Sequence, residues 1–250
     1  MAKEVIVSAD KVKKRKTFAR VVRLALLIIL LFLVVLYIIL SMIYSTGKFT
    51  ISLDSNKTFK TGLTIYDNLE EPVSHRKLEA DSIKFMDNIS YKMIPIDIDS
   101  DELSGSHNGD NYIAYTFFVE NQGDEILDYW YEIIVDDVIK NVDEAIRIRI
   151  YHNGKPTTYA KKNNVSNEPE DFPIPTEPFK EIPDADDTII MEKVEGLMPG
   201  LRDRITILVW LEGDDPDCKD PLIGGELKMH MVLTASHTGL KEEWKNEKEY

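Results

Sequence analysis

Beyond its first fifty residues the chain alternates between apolar and polar positions. In 145–151 (AIRIRIY) Ile146, Ile148 and Ile150 fall on one side, with Arg147 and Arg149 on the other. In 127–135 (LDYWYEIIV) the odd positions are apolar, opposed by Asp128, Trp130 and Glu132. A period of two marks a strand with one buried and one wet face, so these arginines and Trp130 are expected in solvent. The same reading covers 48–54 (KFTISLD), 62–67 (GLTIYD), 82–94, 112–121 (YIAYTFFVEN), 188–194, 204–212 and 226–235. These make roughly nine or ten strands, without the intervening helices that a parallel sheet requires, and so point to a mainly β, antiparallel sandwich. Only 136–145 (DDVIKNVDEA) has helical spacing, in Val138, Ile139 and Val142.

Two turns punctuate the pattern. Asn153-Gly154 is the favoured pair for a tight hairpin, because both turn residues need positive φ. Asn121-Gln-Gly-Asp124 reads as a second hairpin turn, joining 112–121 to 127–135 with Gly123 in the left-handed position. Residues 161–187 hold Pro169, Pro173, Pro175, Pro178 and Pro183 and read as a long surface loop; 237–250 reads as a charged tail, and both are expected to be mobile.

The first fifty residues follow no such alternation. Residues 24–44 (LALLIILLFLVVLYIILSMIY) carry no charge and are apolar on every face of a helix. At 1.5 Å per residue they reach about 31 Å, the thickness of a bilayer's hydrocarbon core. The run exceeds a secretory h-region, and SMIYSTG after it lacks a small-residue cleavage pattern, so an uncleaved signal anchor is expected. Residues 1–23 carry eight basic side chains against Glu4 and Asp10; the whole chain is −14, so +6 here leaves −20 for the remainder. The cluster Lys13, Lys14, Arg15 and Lys16 places the N-terminus in the cytoplasm and attracts anionic lipid headgroups. The layout expected is a basic cytoplasmic segment (1–23), a transmembrane anchor (24–44), an extracellular β-sandwich (45–236) and the tail. So acidic an ectodomain repels phosphate, which removes nucleic acid from the expected partners. With Cys218 alone there is no internal disulfide, so the core must hold the domain by itself; this favours a bacterial surface.

Chemistry is sparse. The five histidines form no H-E-x-x-H or H-x-H arrangement, so zinc hydrolysis has no support, and His230 reads as an outward strand residue. In 205–218 (ITILVWLEGDDPDC) a strand runs into acids and the one cysteine. The acids disfavour a thiolate, so Cys218 reads as structural. The acids themselves read as a turn in solvent; the alternative is a weak calcium site made by Asp214, Asp215, Asp217 and Asp220, the only cofactor expected. Asp97, Asp99 and Asp101 begin like a calcium loop, but Glu102 and Asn108 stand where an EF-hand needs glycine and glutamate.

Three stretches after the apolar helix and first strand carry a resemblance: 112–133 (YIAYTFFVENQGDEILDYWYEI), 145–159 (AIRIRIYHNGKPTTY) and 205–233 (ITILVWLEGDDPDCKDPLIGGELKMHMVL). In strand order and in VENQG, YHNGK and WLEGDDPDC, the chain resembles the TasA/camelysin group of Gram-positive surface proteins and their uncharacterised clostridial relatives. The resemblance implies a jelly-roll-like sandwich outside the cell. It also implies assembly into biofilm matrix by lending an N-terminal strand, here 48–54 with Phe49, Ile51 and Leu53. Those subunits are released by a signal peptidase, and the missing cleavage pattern puts free polymerisation in doubt. Camelysin-type members are assigned protease activity, for which no zinc motif is visible. The expectation is a membrane-anchored, non-enzymatic protein with a structural or interaction role in the envelope or matrix, touching lipid and envelope proteins or copies of itself. A surface hydrolase with a dispersed site and a calcium-responsive adhesion module are the alternatives.

Overall fold

The computed structural model describes residues 9–45, 48–54, 61–83, 85–163, 165–166, 173–180 and 187–237. The chain divides into two compact units, Met1–Gly47 and Lys48–Tyr250. Among the described residues the first is one helix, α1 (Ala9–Ser45), whose stretch Arg20–Leu40 is long and apolar enough to cross a membrane and is nowhere buried by protein. Lys13, Lys14, Arg15 and Lys16 lie on α1, with side chains outside the described residues. The tail beyond His237, and much of 161–187, also lie outside them.

The second unit is mainly β. Its strands are β1 (Thr50–Leu53), β2 (Leu63–Tyr66), β3 (Lys77–Glu79), β4 (Gly105–Ser106), β5 (Tyr112–Asn121), β6 (Leu127–Ile139), β7 (Ile146–His152), β8 (Lys155–Ala160), β9 (Glu177–Pro178), β10 (Thr188–Leu197), β11 (Arg202–Leu211) and β12 (Glu226–His237). Sheet I runs β10-β6-β12-β1-β3; sheet II runs β2-β5-β11-β7-β8-β9, with β4 also on β5. One apolar core draws on both: Ile51, Tyr129, Ile133, Ile190 and Met231 from sheet I, and Ile65, Phe117, Ile148, Ile150 and Ile207 from sheet II.

The expectation of purely antiparallel sheets is corrected, because both sheets are mixed. β1 pairs parallel to β12, Ile51 opposite Met231, and β9 pairs parallel to β8. Parallel neighbours need a long connection, and nearly the whole unit lies between β1 and β12. The 121–124 turn is also not a hairpin: β5 belongs to sheet II and β6 to sheet I, so the chain crosses between sheets there. Gly123 does not take positive φ; it is small because a Cβ would lie 2.6 Å from the Thr61 carbonyl oxygen. The Asn153-Gly154 turn is as expected, with φ of 50° and 78°.

Residues 136–145 are not helical. β6 continues through a bulge near Asp136 to Ile139, turns at Lys140 and Asn141, both at positive φ, and makes only a 3-10 turn at Val142–Glu144. Nor is 82–94 a strand. Residues 89–101 form a strap over the outer face of sheet II, where Ile94 and Ile98 pack with Ala114, Leu208 and Trp210 in a second apolar cluster. The Pro-rich segment contributes to packing as well: β9 extends sheet II, Phe179 packs on the main core and Ile174 on the second cluster.

Candidate functional site

The strap overturns the expectation of a wet outer face on sheet II. On β11 the odd residues Ile205, Ile207 and Val209 enter the core, while Thr206, Leu208 and Trp210 are equally buried beneath the strap. A strand covered on both faces reads as a continuous apolar run, which explains ITILVW. Its two ends, roughly 30 Å apart at strand rise, each hold buried polar groups.

At the Glu212 end, Arg147 is fully buried instead of exposed, with Nη1 2.7 Å from Asp215 Oδ2. The register sets Arg147 beside Trp210. Trp210 Nε1 donates to Glu212 Oε2 at 2.9 Å, and the Tyr91 backbone N–H from the strap donates to the same oxygen at 3.0 Å. The loop 212–218 is likewise not a turn in solvent, for Glu212, Asp215 and Asp217 are buried. Asp215 Oδ1 accepts the Asp217 N–H at 2.7 Å, its backbone carbonyl accepts the Cys218 N–H, and Asp214 Oδ2 accepts Ser90 Oγ–H at 2.6 Å. Asn88 Nδ2 donates to Cys218 Sγ at 3.3 Å, which fits a structural thiol. Of the four acids proposed for calcium, the Asp214 and Asp215 carboxylates thus accept from protein donors, Asp217 Oδ1 lies 3.5 Å from Lys219 Nζ, and Asp220 begins a 3-10 turn. Among the described residues no three His, Cys, Asp or Glu side chains converge as metal ligands do.

At the Asp203 end the polar groups link the sheets. Tyr129 of β6 donates its hydroxyl to Asp203 Oδ2 at 2.7 Å; Asn153 Nδ2 donates to Oδ1 at 2.7 Å, and His152 Nε2 lies 3.3 Å from Oδ2. Burial pushes the Asp203 carboxyl up, but the contacts from His152, Asn153 and Tyr129 together outweigh it and hold it below its ordinary range. Burial and the facing carboxylate push the Tyr129 phenol up, so this hydroxyl stays a donor.

Beside it lies a knot around Asn121, which the sequence reading took only as the start of a hairpin turn. Its side chain is fully buried: Nδ2 donates to the Glu125 and Leu197 carbonyls, each at 2.8 Å, and Oδ1 accepts the Gly123 N–H at 2.9 Å. Its backbone N–H donates to Leu201 O and its carbonyl accepts the Gly200 N–H. One asparagine therefore fixes the 121–127 and 197–201 turns together. The one legible signal was an asparagine ending an apolar strand directly before Gln-Gly.

The remaining expectations fall as follows. Trp130 is half-buried, with Lys193 Nζ 5.3 Å from its ring centre. His230 is partly exposed and 2.9 Å from Asp136, as an outward strand residue should be. Arg204, also outward on β11, binds Asp99 at 3.0 Å and so fastens the acidic stretch 97–102 to sheet II. Phe49 and Ile51 are core residues and Leu53 packs against them; β1 is hydrogen-bonded on both edges, between β12 and β3, so the strand the resemblance would lend is seated in its own sheet. No family model, no curated protein and no solved structure matches the chain.

Proposed function

We propose that the chain is a single-pass membrane protein holding a jelly-roll-like β-sandwich outside the cytoplasm, where it serves as a structural or binding element of a bacterial envelope or its matrix. The observation that carries the reading is α1. Its stretch Arg20–Leu40 carries no charge beyond Arg23 and is buried by nothing in the protein, and such a helix is stable in lipid and costly in water. Basic residues precede it, which favours a cytoplasmic N-terminus. The second unit suits life outside the cell: two sheets share one core, and the outer face of one is closed by a strap without any disulfide. The polar groups at both ends of β11 are engaged with one another across loops and sheets, which supports a scaffold role over catalysis.

Alkaline extraction of membranes, followed by sequencing of the mature N-terminus, tests the reading. The chain should stay in the pellet with residues 1–23 attached. Recovery in the supernatant with a start near Thr46 would show a released subunit and end the anchor.

A further inference from the structure

We propose that the Arg149 guanidinium is a binding site for a carboxylate carried on an apolar body. Three arginines project from the outer face of sheet II, Arg147 and Arg149 from β7 and Arg204 from β11. Two of them meet acids of the same chain: Arg147 lies 2.7 Å from Asp215, and Arg204 lies 3.0 Å from Asp99 and 3.4 Å from Asp101. Arg149, set beside Leu208 by the register, meets no carboxylate among the described residues. Its Nη1 donates to the Thr158 hydroxyl at 2.8 Å, and its Nε is buried without a hydrogen-bond partner. Arg204 Nε is orphaned too, but two carboxylates answer its charge. The chain has 44 acidic side chains against 30 lysines and arginines, so Arg149 is not left over for want of acids. A half-buried cation without a counter-charge is costly to hold, and an anion from outside offsets that cost.

The neighbours of the guanidinium select the anion. Its centre lies 5.1 Å from the ring centre of Tyr91, which comes from the strap, and 5.1 Å from that of Tyr151, two residues along β7. These contacts and the Thr158 bond hold the side chain in place before any ligand arrives, so little ordering entropy opposes binding. Both tyrosines and Ile174 pack against the second apolar cluster, so apolar surface borders the charge. Burial pushes the Tyr151 phenol up, and its hydroxyl stays a donor. A guanidinium edge matches the two oxygens of a planar carboxylate, and the tyrosine rings suit a hydrocarbon or aromatic body behind it. Phosphate fits less well, because its second negative charge meets the field of Asp99, Asp101 and the other acids of the unit. A carboxylate at Arg149 repeats, with a ligand, the pairing that Arg147 and Arg204 make within the chain.

The test treats the full chain, in lipid nanodiscs, with phenylglyoxal, which modifies accessible guanidinium groups, and follows each arginine by peptide mass spectrometry. Arg149 should react about tenfold faster than Arg147 or Arg204, whose acids hold them. Benzoate, a carboxylate on an aromatic ring, should slow the reaction at Arg149 about tenfold at saturation, whereas benzyl alcohol, or inorganic phosphate at the same ionic strength, should leave it unchanged. Benzoate should also raise the melting temperature read by calorimetry, because it binds the folded state alone. That rise should vanish in Arg149→Gln and shrink in Arg149→Lys, which keeps the charge and loses the fork. Reaction of all three arginines at one rate, no protection by benzoate, equal protection by benzyl alcohol, or a melting shift that survives in Arg149→Gln would overturn the site. Equal protection by phosphate would overturn the assignment to a carboxylate.

Discussion

The two ends of β11 solve the same problem in different ways. At the Glu212 end the buried groups meet as an ion pair and a carboxylate cradle: a guanidinium meets Asp215, and Glu212 gathers an indole N–H and a strap N–H. At the Asp203 end the partners of the carboxylate are a phenol, an amide and an imidazole, and the neighbouring turns are held by a neutral asparagine. The first end is closed over by the strap, whereas the second leaves Ile126, Met198 and Leu201 in water. Arginine locks a loop that must stay shut; a neutral hydrogen-bond hub stiffens turns while leaving their side chains on display.

Substitutions separate the two. The largest effect is expected at the ion pair: Asp215→Ala strands the Arg147 guanidinium in the interior and should cost about 3–5 kcal/mol in urea unfolding, whereas Arg147→Met with Asp215→Leu should cost much less. If the double variant is as unstable as the single, the charges do more than compensate each other. Asn121→Ala comes next, at about 2–3 kcal/mol, because it leaves the buried Leu197 carbonyl, the partly buried Glu125 carbonyl and the Gly123 N–H without their side-chain partner. Hydrogen exchange should quicken at Gly123 and Gly200 and remain slow at Glu212; a uniform increase would deny that the ends are independent. Asp203→Asn should cost roughly 1–2 kcal/mol at neutral pH, with a pH signature. The Asp203 carboxyl is held below its unfolded range, so its stabilisation is present above that range and is lost as pH falls through the folded value. Wild type and variant should therefore converge only below about pH 4, and a constant gap down to pH 2 would contradict the charge assignment. Smallest of all, Met198→Ser or Leu201→Ser should change stability by less than about 0.5 kcal/mol, which separates the exposed side chains from the knot beneath them.

The alternation in the sequence fits this comparison in phase but not in consequence. The apolar faces of β6 and β7 fell where a period of two placed them, and Asn153-Gly154 turned as its chemistry required. What failed was the inference that the polar side is wet. Arg147 alternates correctly and is still fully buried beside Trp210 and against Asp215 of the 212–218 loop, while Leu208 and Trp210 are covered by residues 89–101, whose apolar residues are spaced too irregularly to be read as a layer. Acids in a row looked solvated because the two donors that bury Asp215 and Glu212, Arg147 and the Tyr91 N–H, are distant in sequence. The parallel pairing of β1 with β12 was hidden for the same reason: local pattern records which face a residue takes, and not which strand comes alongside.

The account as a whole depends on where the β unit sits relative to the membrane. In a Cys218→Ser background, Lys155→Cys places one thiol at an exposed turn of that unit and Lys13→Cys places one on α1 ahead of its apolar stretch. Intact cells treated with a membrane-impermeant maleimide should label Lys155→Cys fully and Lys13→Cys only after lysis. Labelling of Lys13→Cys in intact cells, with Lys155→Cys protected until lysis, would contradict it.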